Sequence, residues 1–200
     1  MTKIKICGMR DAENIQAVAG LQPDYMGFIF YEKSPRFVGS EFSVTGLNAV
    51  GVFVNESTEE ILNKLKSINA GIVQLHGNET PEQCAELKGK GIQVIKAFSI
   101  DDDFDFDKTR PYEDVVDYFL FDTKGKYYGG NAYPFDWNKL NEYSQSKPFF
   151  LSGGLNAQNV ANLDLVKGMN LYAIDLNSGV EDSPGVKNIE KIKLVMSCLK

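Results

Sequence analysis

Four side chains able to move a proton or hold an anion, Cys7, Arg36, His76 and Asp122, each fall at or just past the end of a short apolar run. Cys7 closes Lys5-Ile6-Cys7-Gly8. Strand side chains alternate, so Lys3, Lys5 and Cys7 share a face, and Lys5 would sit one layer beneath the thiol as a cation able to lower its pKa. A thiol so placed can act as a base, or it can be a buried and inert cysteine. Asp122 ends Phe119-Leu120-Phe121-Asp122, apolar surroundings that disfavour the ionised form and suit a general acid, although capping a helix is the plainer role. Arg36, in Lys33-Ser34-Pro35-Arg36, offers a guanidinium fork to a carboxylate unless it is simply solvated. His76, in Gln74-Leu75-His76-Gly77, is the only histidine, too few for a zinc site or a triad with a spare base. It orients a ligand or satisfies a buried hydrogen bond.

An anion site is suggested by two small-residue stretches near the end of the chain. Ser152-Gly153-Gly154-Leu155-Asn156 follows one apolar run, and Asp175-Leu176-Asn177-Ser178-Gly179 follows the next. Small residues let backbone N–H groups approach a phosphate, and a following helix N-terminus adds partial positive charge. One Gly-Gly pair would read as a turn; two such stretches after consecutive terminal strands favour phosphate, bound at Gly153, Gly154, Ser178 and Gly179.

These residues must be positioned by the runs that precede them: Lys3–Cys7, Tyr25–Phe30, Ala49–Val54, Ile72–Leu75, Ile92–Ala97, Tyr118–Asp122, Phe149–Leu151 and Leu171–Asp175. Asn55 and Lys96 also stand at such ends. Helical signals lie between the runs. Thr58–Ile68 carries an apolar stripe at Ile61, Leu62, Leu65 and Ile68 behind an N-cap at Ser57, and Thr80-Pro81-Glu82-Gln83 opens another helix with Thr80 as cap. Asp11–Ala19, Asp136–Tyr143, Asn156–Leu163 and Val186–Leu199 read as helices too, with weaker signals at Gly39–Leu47 and Thr109–Val116.

Alternating strands and helices demand parallel strands. An open doubly wound sheet and a closed barrel both fit; eight units of about 25 residues favour an α/β fold of the (β/α)8 TIM-barrel type, with its active site at the carboxyl ends of the strands. No linker or composition shift divides residues 1–200, which are expected to form one catalytic domain.

The chain's 200 residues carry a formal charge of −6, and its 21 Lys and Arg are scattered, so a nucleic-acid partner is not expected. Met1–Arg10 enters a lysine-bearing strand and does not read as a secretory signal, and no apolar stretch approaches the ~20 residues of a membrane span. Cys7, Cys84 and Cys198 are odd in number and widely spaced, which suits neither a disulfide framework nor a metal site and fits a reducing, cytoplasmic setting. Thr123–Phe135, with Gly125, Gly129 and Gly130, is long enough for a mobile lid or a plain surface loop. Ser99–Lys108 holds five aspartates but has Lys108 where a calcium loop needs glycine, so it reads as a solvated acidic loop.

Taken in order, Lys5-Ile-Cys-Gly, Ser34-Pro-Arg36, Gln74-Leu-His-Gly, Asp122 with Gly129-Gly130 and Phe135-Asp136-Trp137, Ser152-Gly-Gly-Leu-Asn, and Asp175 through Ser178-Gly-Val-Glu181 resemble the phosphoribosylanthranilate isomerase family of tryptophan biosynthesis. The likeness spans the chain. Where the family carries Gly-Gly-Thr-Gly after strand six, this chain has Gly129-Gly130-Asn131-Ala132, and Asn188 replaces an aspartate common in the last loop.

The resemblance implies a cofactor-free barrel, with no metal, acting on a small phosphosugar by an Amadori rearrangement. It implies Cys7 as general base, Asp122 as general acid, Arg36 as anchor for the anthranilate carboxylate, and Asp175 near the sugar hydroxyls. His76 joins the substrate-binding set. A related phosphosugar isomerase or epimerase is the nearest enzymatic alternative, and a noncatalytic phosphometabolite binder would keep the glycine loops but would not need Cys7 and Asp122. Monomer and homodimer both remain open.

Overall fold

Eight apolar runs pair in chain order because parallel strands buried on both faces read as near-continuous Val, Ile, Leu and Phe. The computed structural model describes residues 2–39, 48–123, 136–166 and 168–199. Its strands are β1 (Lys3–Ile6), β2 (Tyr25–Ile29), β3 (Ala49–Phe53), β4 (Ile72–Leu75), β5 (Gln93–Ile100), β6 (Tyr118–Thr123), β7 (Phe149–Leu151) and β8 (Leu171–Leu176). All neighbours are parallel, and β8 pairs back onto β1 to close an eight-stranded barrel. The closing register sets Lys5 opposite Asp175, so two inward polar side chains arrive side by side.

Alternation sorts the core into two layers. Outward residues such as Ile6, Phe28, Phe53, Leu75, Phe121 and Leu176 pack beneath the helices. Inward residues Tyr25, Val50, Ile95, Ala97, Leu120, Phe150 and Ala173 fill the barrel. At its amino-terminal end the Lys3 ammonium lies 5.2 Å from the Tyr172 ring centroid, and the Tyr25 and Tyr172 hydroxyls share a 2.7 Å hydrogen bond. That aromatic floor backs the polar residues above it.

Among the described residues four α-helices dress the barrel: α1 (Ala12–Ala19), α2 (Thr58–Ser67), α3 (Pro81–Gly89) and α4 (Ile189–Cys198). Ser57 caps α2 by accepting from the Glu60 N–H, and α2 buries Ile61 and Leu65 as its stripe requires. A fully buried leucine contributes about 1.5–3 kcal/mol. Gly51 permits that close approach, since a Cβ there would lie 2.7 Å from Leu65 Cδ2. Thr80 caps α3 as expected, but Gln83 does not reach back to complete a capping box; its amide donates instead to the Glu56 carbonyl at 2.7 Å.

Several expected helices take other forms. Asp136–Tyr143 becomes a 3-10 helix over Trp137–Glu142, and the Asn156–Leu163 helix becomes one over Val160–Val166. The weak Thr109–Val116 signal is displaced to a 3-10 helix at Phe106–Tyr112, where Pro111 limits regular hydrogen bonding. Val186–Leu199 is part hairpin: β9 (Glu181–Ser183) and β10 (Val186–Lys187) pair antiparallel, Gly185 turns at φ +86°, and α4 starts only after Asn188. The acidic loop is tied down from within, because β5 extends through its first residues and Phe106 is buried against Phe121, with ring centroids 5.4 Å apart. The Gly39–Leu47 signal, save Gly39, and the proposed lid beyond Thr123 lie outside the described residues.

Candidate active site

Inward side chains at the carboxyl ends of the strands converge on one pocket, whose lining includes Cys7, Gln74, His76, Asp122, Ser152, Asp175 and Asn177. The barrel thus brings Cys7, His76, Asp122 and Asp175 together from β1, β4, β6 and β8 and the residues that follow them. Arg36 lies beside this group, next to Gly8: a Cβ at Gly8 would sit 2.7 Å from both Arg36 Cδ and Asn177 Oδ1. Gly27 on β2 makes room for the thiol, since a Cβ there would be 2.7 Å from Cys7 Sγ.

Beneath the thiol, fully buried Lys5 donates from Nζ to Asp175 Oδ2 at 2.9 Å and also reaches Cys7. Burial works against the ammonium, but the Asp175 carboxylate and Cys7 outweigh it, and the Lys5 pKa is raised. For Cys7, the expected lowering does not prevail. Burial pushes the thiol up; Lys5 and, more distantly, Lys187 pull it down without cancelling that effect, and Asp175 adds to the rise. The resting residue is therefore a protonated thiol near neutral pH. Two variants should separate these influences when Cys7 alkylation by iodoacetamide is followed against pH. Lys5→Met should move the titration further upward and Asp175→Asn should move it downward. An unchanged midpoint in both would remove this pair as the thiol's electrostatic partners.

Asp122 is buried near the end of β6, where Oδ1 accepts from the N–H of the next strand residue, Thr123, at 2.9 Å. Its Oδ2 lies 3.3 Å from His76 Nε2. Asp175 keeps Oδ1 buried and without a hydrogen-bond partner among the described residues, facing a pocket in which a ligand hydroxyl could satisfy it.

Arg36 is not a solvated arginine. Its Nε donates to both carboxylate oxygens of Glu181, at 2.9 and 3.1 Å, and its Nη2 to Oε2 at 2.7 Å. Glu181 also accepts from Lys187 Nζ and from the Gly185 N–H. Burial favours the neutral form of Glu181, but these cations overcome it and hold its pKa below the usual range, while burial lowers Lys187 to about 8 despite Glu181. The side-on pairing uses Nε and Nη2 of the fork, so a second carboxylate would meet the Nη1 edge.

The glycine loops touch one another. Gly153 and Gly154 sit at φ +96° and +67°, backbone that side chains rarely adopt, and a Cβ on Gly153 would come within 2.8 Å of the Thr123 nitrogen. A Cβ on Gly179 would overlap the Leu155 carbonyl, so the two loops pack backbone to backbone. Asn156 and Asn159 steady the first by donating to the Gly154 carbonyl at 3.0 and 2.9 Å. Ser178 and Gly179 open a single 3-10 turn, Ser178–Val180.

Not every strand-end residue joins the pocket. Lys96 points outward from the barrel and pairs with Glu79 at 3.0 Å, while Glu79 accepts from the N–H groups of Asn55 and Gly77. That buried pair braces the ends of β3, β4 and β5. Gln74, Asn177, Glu181 and Lys187 are among the polar residues here that the sequence analysis gives no role. Gln74, Asn177 and Glu181 stand inside quoted motifs, and Gln74 shares the inward face with His76 by strict alternation. Among the described residues no group of three or more His, Cys, Asp and Glu side chains is arranged to hold a metal.

Residues 4–197 match the family described as N-(5'-phosphoribosyl)anthranilate (PRA) isomerase. Two relatives called N-(5'-phosphoribosyl)anthranilate isomerase are similar along nearly their whole lengths. The Phocaeicola vulgatus protein is 45% identical over 98% of this chain and 97% of its own. The Parabacteroides distasonis protein is 44% identical over 95% and 90%. Among solved structures, phosphoribosylanthranilate isomerase from Thermotoga maritima superposes with a TM-score of 0.85 at 33% identity, covering 99% of this chain and 98% of that one. A phosphoribosylanthranilate isomerase in complex with reduced 1-(o-carboxyphenylamino)-1-deoxyribulose 5-phosphate gives 0.82 at 32% identity, covering 98% and 97%.

Proposed function

Since the chain belongs to the N-(5'-phosphoribosyl)anthranilate isomerase family, we propose how its own residues divide the work of that reaction. The enzyme is an isomerase of tryptophan biosynthesis on a TIM barrel. It converts N-(5'-phosphoribosyl)anthranilate to 1-(2-carboxyphenylamino)-1-deoxyribulose 5-phosphate by an Amadori rearrangement.

Asp122 is the general acid. Its proton goes to the furanose ring oxygen, the bond from that oxygen to sugar carbon 1 breaks, and the anthranilate nitrogen lone pair forms the iminium. Cys7 is the general base. As thiolate it takes the proton from carbon 2; the C–H electron pair becomes the carbon 1–carbon 2 double bond, and the iminium electrons return to nitrogen. The enolamine then tautomerises to the ketone: the carbon 2 hydroxyl gives up its proton, the oxygen electrons form the C=O bond, and the carbon 1–carbon 2 double-bond electrons take a proton at carbon 1. Electrons are only redistributed within the substrate, so the chemistry needs no redox cofactor and no external electron sink. The positive charge of the iminium favours ionisation of the raised Cys7 thiol at the moment the base is needed.

One observation carries this division: a thiol and a carboxyl, the two groups the steps require, line a single pocket beside the buried Lys5–Asp175 pair. Asp175 Oδ1 accepts from a sugar hydroxyl, His76 contacts the sugar side of the substrate, and phosphate lies on Gly153, Gly154, Ser178 and Gly179. A Thermotoga maritima relative is dimeric and also exists as mutually generated monomers; this chain works as a monomer or a homodimer. Residues 1–200 act as one catalytic domain. A cytoplasmic location is supported by three unpaired cysteines, and among the described residues no helix is long and apolar enough to cross a membrane.

Arg36 anchors the anthranilate carboxylate through the edge of its fork that Glu181 leaves open. Arg36→Ala should raise KM strongly for the carboxylate-bearing substrate and little for an analogue lacking that group, by about 1.5–3 kcal/mol of charge-assisted hydrogen bonding in the first case. Steady-state kinetics on both compounds provide the check, and equal rises in KM would deny the anchor.

A further inference from the structure

Gln74 and His76 are adjacent inward residues at the end of β4, both buried, and Gln74 Nε2 lies 2.9 Å from His76 Nδ1. The two ring nitrogens of a neutral imidazole are linked: when Nδ1 accepts, Nε2 carries the proton. In this arrangement Nε2–H lies 3.3 Å from Asp122 Oδ2, an electrostatic contact that is not aligned as a hydrogen bond among the described residues, and its charge suits a carboxylate there. Gln74 Oε1 is buried and has no hydrogen-bond partner among the described residues. Turning the amide over about its last bond would therefore break no bond to that oxygen. It would set Oε1 to accept from Nδ1–H, leaving Nε2 as the acceptor for a protonated Asp122 carboxyl. A carboxylate at position 74 would only accept, and a thioether would do neither well.

We infer that Gln74 is a positioning residue that sets which nitrogen of His76 bears the proton. Its two-faced amide can pair with Nδ1 in either tautomer, so His76 can present Nε2–H to Asp122 as a carboxylate or a bare Nε2 to it as an acid. The catalytic consequence rests on Asp122 being the general acid. The control of the tautomer does not.

Since the chain has one histidine, 15N labelling of histidine reports the His76 ring nitrogens without ambiguity. The free wild-type enzyme should show the Nε2–H tautomer. Gln74→Glu should shift the ring to Nδ1–H or to imidazolium, and Gln74→Met should give a mixture. Turnover in Gln74→Met should fall on the order of tenfold, the net worth of one hydrogen bond, with KM changed by less than about twofold. An effect on packing alone would lower stability and leave the tautomer as it was. The same tautomer in wild type and in either folded variant would overturn the inference. Should Asp122→Asn keep near-normal turnover while Gln74→Glu still shifts the tautomer, the general-acid reading fails and the control by Gln74 stands.

Discussion

Cys7→Ala is expected to lower kcat by at least about 10²-fold while leaving the barrel folded, the lower end of what a positioned acid or base contributes. Folding should survive because the change removes one buried sulfur, packed over Gly27, and leaves the Lys5–Asp175 pair intact. Binding should change little, since the carboxylate and phosphate contacts of the substrate lie elsewhere. The measurement is loss of substrate fluorescence at saturating concentration, with circular dichroism to check the fold. Near-normal turnover in the folded variant would remove Cys7 from the reaction. The raised thiol sets the sign of the pH response: where ionisation of Cys7 limits the rate, wild-type turnover should climb as pH rises through and beyond the ordinary thiol range.

Asp122→Asn should cost a similar factor for a different reason. Asparagine keeps an oxygen to accept from the Thr123 N–H, so the end of β6 retains its hydrogen bond. What it lacks is a proton acidic enough to release the furanose oxygen. The expected result is a fall of at least about 10²-fold in kcat with KM nearly constant, the pattern of an interaction realised only in the transition state. A substrate whose ring is already open should bypass much of this defect, and a loss equally severe with that substrate would place the role of Asp122 after ring opening.

Much of this arrangement is legible in the sequence because parallel strands, buried on both faces, announce themselves as apolar runs, and their ends locate the pocket. Alternation within β1 also puts Lys5 on the same face as Cys7. It could not show how deeply both are buried, and that depth reverses the expected direction of the thiol's shift. The Arg36–Glu181 pair joins residues 145 positions apart, a separation that no local pattern encodes. Val186 and Lys187 were misread for the opposite reason: their apolar neighbours fit a helical stripe, while the Gly185 turn and the Asn188 cap delay α4. Between Asn156 and Val166, asparagines bonding to nearby backbone groups compete with a regular helix and leave a 3-10 segment.

The central claim, that Asp122 opens the ring and Cys7 then takes the carbon 2 proton, is tested most directly by substrate deuterated at carbon 2. The isotope effect on kcat/KM should be measured for wild type, Cys7→Ser and Asp122→Asn. Weakening the base makes proton abstraction limiting, so the effect should grow toward its full primary size in Cys7→Ser. Weakening the acid makes ring opening limiting, so it should shrink toward unity in Asp122→Asn. A larger effect in Asp122→Asn together with a smaller one in Cys7→Ser would contradict the assignment of the two roles.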